Sequence, residues 1–210
     1  MPEDYLSAHW VKLMSALSVE AEVKNYDFQS VIKKYGQSGR YYHTTSHLAA
    51  MFLWYEKFEN FIEFPNAFRL AIFFHDIVYS PIRKNNESQS AIVAQKYMEK
   101  WRCGEEAVVQ VRELILSTAK HQPLKAHPDF GWFLDIDLSV LGSPANDYRQ
   151  YAEAIRKEYR LYPDSLYFPG RKKILESFLQ RPRIYFSVPM YELLEKQARE
   201  NLADEILRLS

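Results

Sequence analysis

The sequence predicts an all-α protein, a compact multi-helix bundle, on three observations: apolar residues recur at helical spacing through most of the chain, β-branched alternation is scarce, and Pro or Gly interrupts the periodic stretches at short intervals. Those stretches lie near residues 5–17, 23–35, 46–60, 66–79, 87–102, 105–119, 146–160, 172–180 and 190–209. The second closes at Gly36 and Gly39. The third has Thr44, Thr45 and Ser46 at its start, all able to cap, and stops before Pro65. Pro81 follows the fourth, and Asn86-Glu87-Ser88 opens the fifth with an acid that the helix dipole favours. Gly104 separates the fifth from the sixth, which ends before Pro123 and Pro128. Gly142-Ser143-Pro144 and Pro163 bracket the seventh, and Pro169-Gly170, Pro182 and Pro189 bound the last two. The final segment, "YELLEKQARENLADEIL", is acid-rich and amphipathic, a packing helix with one solvated face.

A chain of 210 residues, 47% hydrophobic with only 6 Gly, is long enough for one sizeable core and short for two, so one domain over residues 1–210 is expected. Lys plus Arg and Asp plus Glu both number 27, and this balance indicates no nucleic-acid or membrane partner. A small molecule or a protein is the partner class, and a homo-oligomer is compatible with it. The single Cys103 excludes an internal disulfide framework and a Cys-rich zinc site, and fits a reducing compartment. The N-terminal residues lack an uninterrupted apolar h-region, and no stretch reaches the roughly 18 apolar residues of a membrane span, so a cytoplasmic location is expected.

Polar residues stand where a core is expected. "LAIFFHDIVY" sets His75 and Asp76 in a run that is otherwise apolar or aromatic. Burying that carboxylate costs several kcal/mol unless it is paired or bound to a metal. "RYYHTTSHLAAM" places His43 and His47 around one helix N-terminus, and "WFLDIDLSVLG" places Asp135 and Asp137 among seven apolar residues. A lone His beside aromatic residues is more often a satisfied structural group, but two of them with a His-Asp pair elsewhere change that balance. In a chain without thiolate pairs, His and Asp form the N/O donor set suited to Zn, Mn, Fe, Ni or Co. The chain order is His47, His75, Asp76, Asp137, with Asp135 as the rival to the last.

That order, H then HD then D, resembles the HD-domain superfamily of metal-dependent phosphohydrolases. The chain is similar to the bacterial group described as predicted metal-dependent HD-superfamily phosphohydrolases, through "YYHTTSHL", "FFHDIVY", "NNESQSA", "TAKH", "FLDIDLSVLG" and "RPRIYFS", which span residues 41 to 187. The resemblance implies an HD-domain-like helical bundle with a metal site in its core. "His43-Thr-Thr-Ser-His47" is similar to the H-N-x-x-H element of cyclic-nucleotide phosphodiesterases, which implies His47 as a ligand and His43 as a general acid; Thr44 stands where that element has Asn. "Asp137-Leu138-Ser139" is similar to the element carrying the last metal-binding Asp. By the same resemblance Asp76 would bridge to a second ion, so one or two divalent ions per chain (Mn, Zn, Fe, Ni, Co or Mg) are expected. The implied activity is hydrolysis of a phosphomonoester or phosphodiester, nucleotides among the candidates, by attack of metal-bound hydroxide.

The remaining polar residues carry two readings each. His121 in "STAKHQ" is an additional ligand or a substrate contact, and Lys120 beside it compensates phosphate charge. Glu87 resembles an acid that orients water and is equally a first-turn helix acid. Arg40, and Arg183 with Tyr185, either grip a phosphate through forked hydrogen bonds or pair and pack. His9 and His127 have no partner motif and read as structural, and the 15 Tyr and 13 Phe read as core. Two other functions survive: a non-catalytic nucleotide-binding or regulatory module, and a di-iron HD-type oxygenase, for which only His121 and His127 follow the HD pair.

Overall fold

The computed structural model describes residues 2–19 and 21–209, with side chains in the second helix from residue 25 onward. The chain is all-α: among the described residues there are helices and no strand. It divides into two units, Met1–Phe133 and Leu134–Ser210. No helix is long and apolar enough to cross a membrane among those described.

The first unit holds α1 (Pro2–Ala16), α2 (Ala21–Tyr35), α3 (Thr45–Phe58), a 3-10 turn (Glu59–Phe61), α4 (Pro65–Phe74), α5 (Asn86–Lys100), α6 (Glu105–Ser117) and most of α7 (Pro128–Asp137). At its centre is α4, seven of whose ten residues are buried; it packs on α1, α3, α5 and α6. A helix apolar all round is a core helix, and this one starts with Pro65 at a position where the missing N–H costs nothing. Its entry is fixed from α7: the buried Asp129 carboxylate accepts from the Glu63 amide at 3.0 Å and the Phe64 amide at 2.9 Å. Many of the aromatic residues are core, as expected, while Tyr26, Tyr41, Phe61, Phe64, Phe186 and Tyr191 are exposed. Trp10 meets Phe73 edge-on at 5.0 Å and Trp101 at 5.6 Å, and Phe52, Phe68, Phe73, Phe74 and Phe133 are fully buried. His9 stacks on Phe52 at 4.2 Å with Nε2 3.2 Å from Glu56, and His127 accepts the Asp129 amide, so both are structural.

The periodicity predicts a helix over 66–79, yet α4 ends at Phe74, with His75 as its C-cap and Asp76 in the turn beyond. The apolar run continues through Ile77, so composition alone gives no stop; the stop comes from side chains that satisfy the last carbonyls. His75 Nδ1 meets the Ile72 carbonyl at 3.0 Å, the Tyr35 hydroxyl donates to that of Phe73 at 2.9 Å, and Arg40 donates to those of Asp76 and Ile77.

The second unit contains a 3-10 turn (Leu138–Gly142), α8 (Ala145–Glu158), α9 (Asp164–Leu179) and α10 (Val188–Arg208). The turn lies close on α10: a Cβ on Gly142 would come 2.6 Å from Leu194 Cβ and 2.8 Å from its carbonyl oxygen. Asn201 of α10 donates to the Leu141 and Ser143 carbonyls, both at 2.8 Å. Arg171 and Glu205 form a buried forked pair, with Nε to Oε1 at 2.8 Å and Nη2 to Oε2 at 3.0 Å. Pro169-Gly170 reads as a stop in the sequence but lies inside α9. Pro169 and the residue four before it, Ser165, are exposed, so the carbonyl it leaves without an amide donor faces water.

Candidate metal centre

The site is built where the end of α4 meets the start of α3. Thr44 caps α3, its hydroxyl accepting from the Ser46 amide at 3.3 Å, so the residue that replaces Asn in the first motif fixes the helix start. One turn in, His47 is buried. His75 caps α4 at 1% side-chain exposure. A carbonyl cannot donate, so the 3.0 Å contact of His75 Nδ1 with the Ile72 carbonyl puts the ring proton on Nδ1 and leaves the Nε2 lone pair for an acceptor role.

That lone pair faces His47 and Asp76. His75 Nε2 lies 3.2 Å from His47 Nε2 and 3.1 Å from Asp76 Oδ2. An Nε2–H on His47 would donate to that lone pair, and a second proton on His75 would serve the contact with Asp76 at the cost of burying a full imidazolium; a cation shared among the groups would satisfy all the contacts at once. The spacing fits an ion: two nitrogens each about 2.05 Å from one metal lie about 2.9 Å apart at a right angle and about 3.3 Å apart at the tetrahedral angle.

The third donor arrives on α7. This helix is continuous through the point where the two units divide, and its Phe133, in the first unit, packs edge-on against the His75 ring at 6.1 Å. Asp137 is one helical turn beyond Phe133 and so on the same face. His47, His75 and Asp137 each offer a ligand atom, and these atoms all lie within 4.8 Å of one another. Two imidazoles and a carboxylate form a donor set for a borderline or hard divalent ion, Zn, Mn, Fe, Ni or Co, with positions left for further ligands.

Asp76 stands beside this trio. Its Oδ2 reaches His75 Nε2 at 3.1 Å and His43 Nε2 at 3.8 Å, placing it between the inner imidazole and the outer one. His43 is 18% exposed at its side chain, its ring stacked on Tyr79 at 4.1 Å between centroids and 27° between planes. Tyr42 packs against both His43, at 5.1 Å, and His47, at 4.9 Å.

Of the two neighbouring acids, Asp137 is the one in the cluster. The buried Asp135 carboxylate accepts from the amides of Phe186 and Ser187, both at 2.7 Å. Burial pushes this carboxyl up to about 6 even against those hydrogen bonds. Its role is to hold the "RPRIYFS" segment. Glu195 does the same from α10, accepting from the Ile184 amide at 3.0 Å and the Tyr185 amide at 3.2 Å.

The other sequence-selected residues lie outside the convergent trio. His121, half-buried in the left-handed region at φ 46°, is not part of it, and Lys120 is exposed beside it. Glu87 is half-buried in the first turn of α5, where an acid complements the helix dipole. Tyr185 is fully buried, donating to the Leu138 carbonyl at 3.1 Å, and Arg183 is exposed, 4.1 Å over the Tyr191 ring. Arg40 is likewise turned to backbone carbonyls. Sequence reasoning overlooked Tyr79 and the cap residue Asp129; the Asp after Pro128 is a helix-start signal that could have found the second.

No family model, no curated protein and no solved structure matches the chain.

Proposed function

We propose that the chain is a metal-dependent phosphohydrolase of the HD-domain type, hydrolysing a phosphomonoester or phosphodiester, with nucleotides among the candidate substrates. The observation that carries this reading is the approach of His47 Nε2 to His75 Nε2 at 3.2 Å, with Asp137 in the same cluster and Asp76 3.1 Å from His75. His47, His75 and Asp137 would hold the ion, with Asp76 and His121 as candidates for further ligands. A divalent ion bound there supplies Lewis acidity toward a phosphoryl oxygen and brings the pKa of a water toward about 7.

The chain's own groups do the rest. His43 is the general acid: its imidazole, oriented by the Tyr79 stack and by Asp76 at 3.8 Å, gives a proton to the leaving oxygen. Asp76 keeps that ring facing the cluster, while the Ile72 carbonyl keeps the proton of His75 on Nδ1 and its other nitrogen toward the ion. Lys120, exposed, offers charge to a phosphate, and Glu87 a carboxylate that orients water.

Elemental analysis of protein purified without chelator tests the metal. A panel of phosphomonoesters and phosphodiesters, run on the same sample with Mn, Mg, Co, Ni and Zn, tests the reaction. Metal bound with no turnover on any ester would favour the binding-module reading; iron with dioxygen consumption would favour an oxygenase.

A further inference from the structure

Arg40 precedes the first histidine motif by three residues and is 9% exposed. Its Nη1 donates to the carbonyls of His43 at 3.1 Å and Asp76 at 2.8 Å, and its Nη2 donates to that of Ile77 at 3.0 Å. The guanidinium lies 5.1 Å from the Tyr35 ring centre and 5.4 Å from that of Tyr79. Tyr79 in turn stacks on His43. One planar cation therefore joins two segments more than thirty residues apart: the loop that carries His43 into α3 and the turn that carries Asp76 out of α4. It also places positive charge at the C-terminus of α4, where the carbonyl dipoles favour it.

The geometry points to Arg40 as a positioning residue that fixes the spacing between His43 and Asp76, an inference that rests on the phosphohydrolase reading for its effect on rate but not for its effect on structure. Its two amino nitrogens donate to three backbone carbonyls and its Nε is buried, so the guanidinium is directed at the backbone of the two segments. An ammonium cannot replace the fork: lysine is a point charge and cannot hold carbonyls on two segments in one plane. Releasing the clamp lets the turn and the loop separate, and a shift of about 1 Å between reacting groups costs on the order of 10²-fold in rate. The trio His47, His75 and Asp137 is carried by α3, the α4 cap and α7, and none of its side chains takes part in these three hydrogen bonds.

The test uses Arg40→Ala and Arg40→Lys in the full chain, read by amide hydrogen exchange, Mn binding and rates on an alkyl and a nitrophenyl phosphate. In Arg40→Ala, exchange at residues 40–44 and 76–79 rises at least about tenfold, as local opening requires, while α1, α5 and α6 keep their protection. Mn stoichiometry is retained. The alkyl ester loses about 10²-fold in rate and the nitrophenyl ester far less, because its leaving oxygen hardly needs the proton. Millimolar guanidinium restores both protection and the ratio of rates, and urea at the same concentration does neither. Arg40→Lys keeps the charge but not the fork, so it retains the fold with the same two segments exposed to exchange; it carries the test if Arg40→Ala fails to fold. Unchanged exchange, a uniform rise across the whole chain, or no response to guanidinium overturns the inference. If the wild-type protein hydrolyses no ester, the phosphohydrolase reading fails by itself, and exchange with guanidinium rescue still decides the role of Arg40.

Discussion

His43 is the residue whose proposed role is most sharply separable from that of its neighbours. It sits four residues before His47, ahead of the α3 N-cap, 3.8 Å from Asp76 and stacked on Tyr79, outside the trio of convergent ligand atoms. His43→Ala is expected to keep its metal and lose about 10²–10⁴-fold on an alkyl phosphate, with a much smaller loss on a nitrophenyl ester; equal losses on both would make it a substrate-orienting group. Asp135 and Asp137 separate in another way. Asp137→Asn is expected to lose metal and turnover together. Asp135→Asn keeps the metal but turns an amide NH₂ or leaves a weaker acceptor toward the Phe186 and Ser187 amides, a loss of about 1–3 kcal/mol in stability that urea titration reads. A stable Asp135→Asn protein without metal would move the ligand to Asp135. His9 gives a pH test. Burial lowers its pKa below the ordinary 6.5, so below that value the folded state binds fewer protons than the unfolded one and stability falls as the pH falls. His9→Phe, which keeps the stack on Phe52, should therefore gain stability relative to wild type between about pH 7 and pH 5; a pH-independent difference between the two would contradict it.

At the scale of elements, close approach rather than polarity sets the sharpest constraint. Gly142 lets the 3-10 turn after α7 sit against Leu194 of α10, and a methyl group there meets backbone at 2.8 Å, where no rotamer change helps. Gly142→Ala is expected to cost about 1–3 kcal/mol and to lower the thermal midpoint; a midpoint equal to wild type would mean that the turn has room to move. The legibility of the elements followed physical signals of unequal strength. The long amphipathic helices α1, α5, α6, α8 and α10 were readable from spacing and their flanking Gly and Pro. The short α7 was not: its ten residues are apolar on nearly every side, so no period stands out, and its start is marked only by Pro128-Asp129. α9 was read about two turns short because Pro169 is a stop only where the lost hydrogen bond is buried. The end of α4 was invisible for the opposite reason, since the residues that end it, Tyr35 and Arg40, lie elsewhere in the chain.

For the molecule as a whole, the site residues were legible because they violate the expectations of a core: an imidazole and carboxylates inside apolar runs. What sequence could not supply was their partners. Nothing in "GRYYH" says that Arg40 turns inward to carbonyls rather than outward to phosphate, and nothing in "LDID" separates an acid that holds two backbone amides from one that faces two histidines. Those distinctions depend on residues 36 to 90 positions away. If the cluster at His47, His75 and Asp137 holds a cation, it holds it in the folded chain and not in the unfolded one, so removal of the cation should lower stability. Thermal unfolding with and without chelator is expected to show a higher midpoint for the metal-loaded protein, with the difference abolished in His47→Ala; an identical midpoint in wild type would mean that the histidines are satisfied by each other. The most direct measurement of the central claim is the metal content of wild-type protein and of His75→Ala and Asp137→Asn, purified side by side without chelator and checked for native helicity. The account predicts at least one first-row divalent ion per chain in the wild type and substoichiometric metal in both variants. Full occupancy in both variants, or a wild-type chain that takes up no ion when supplied with Mn or Zn, would contradict it.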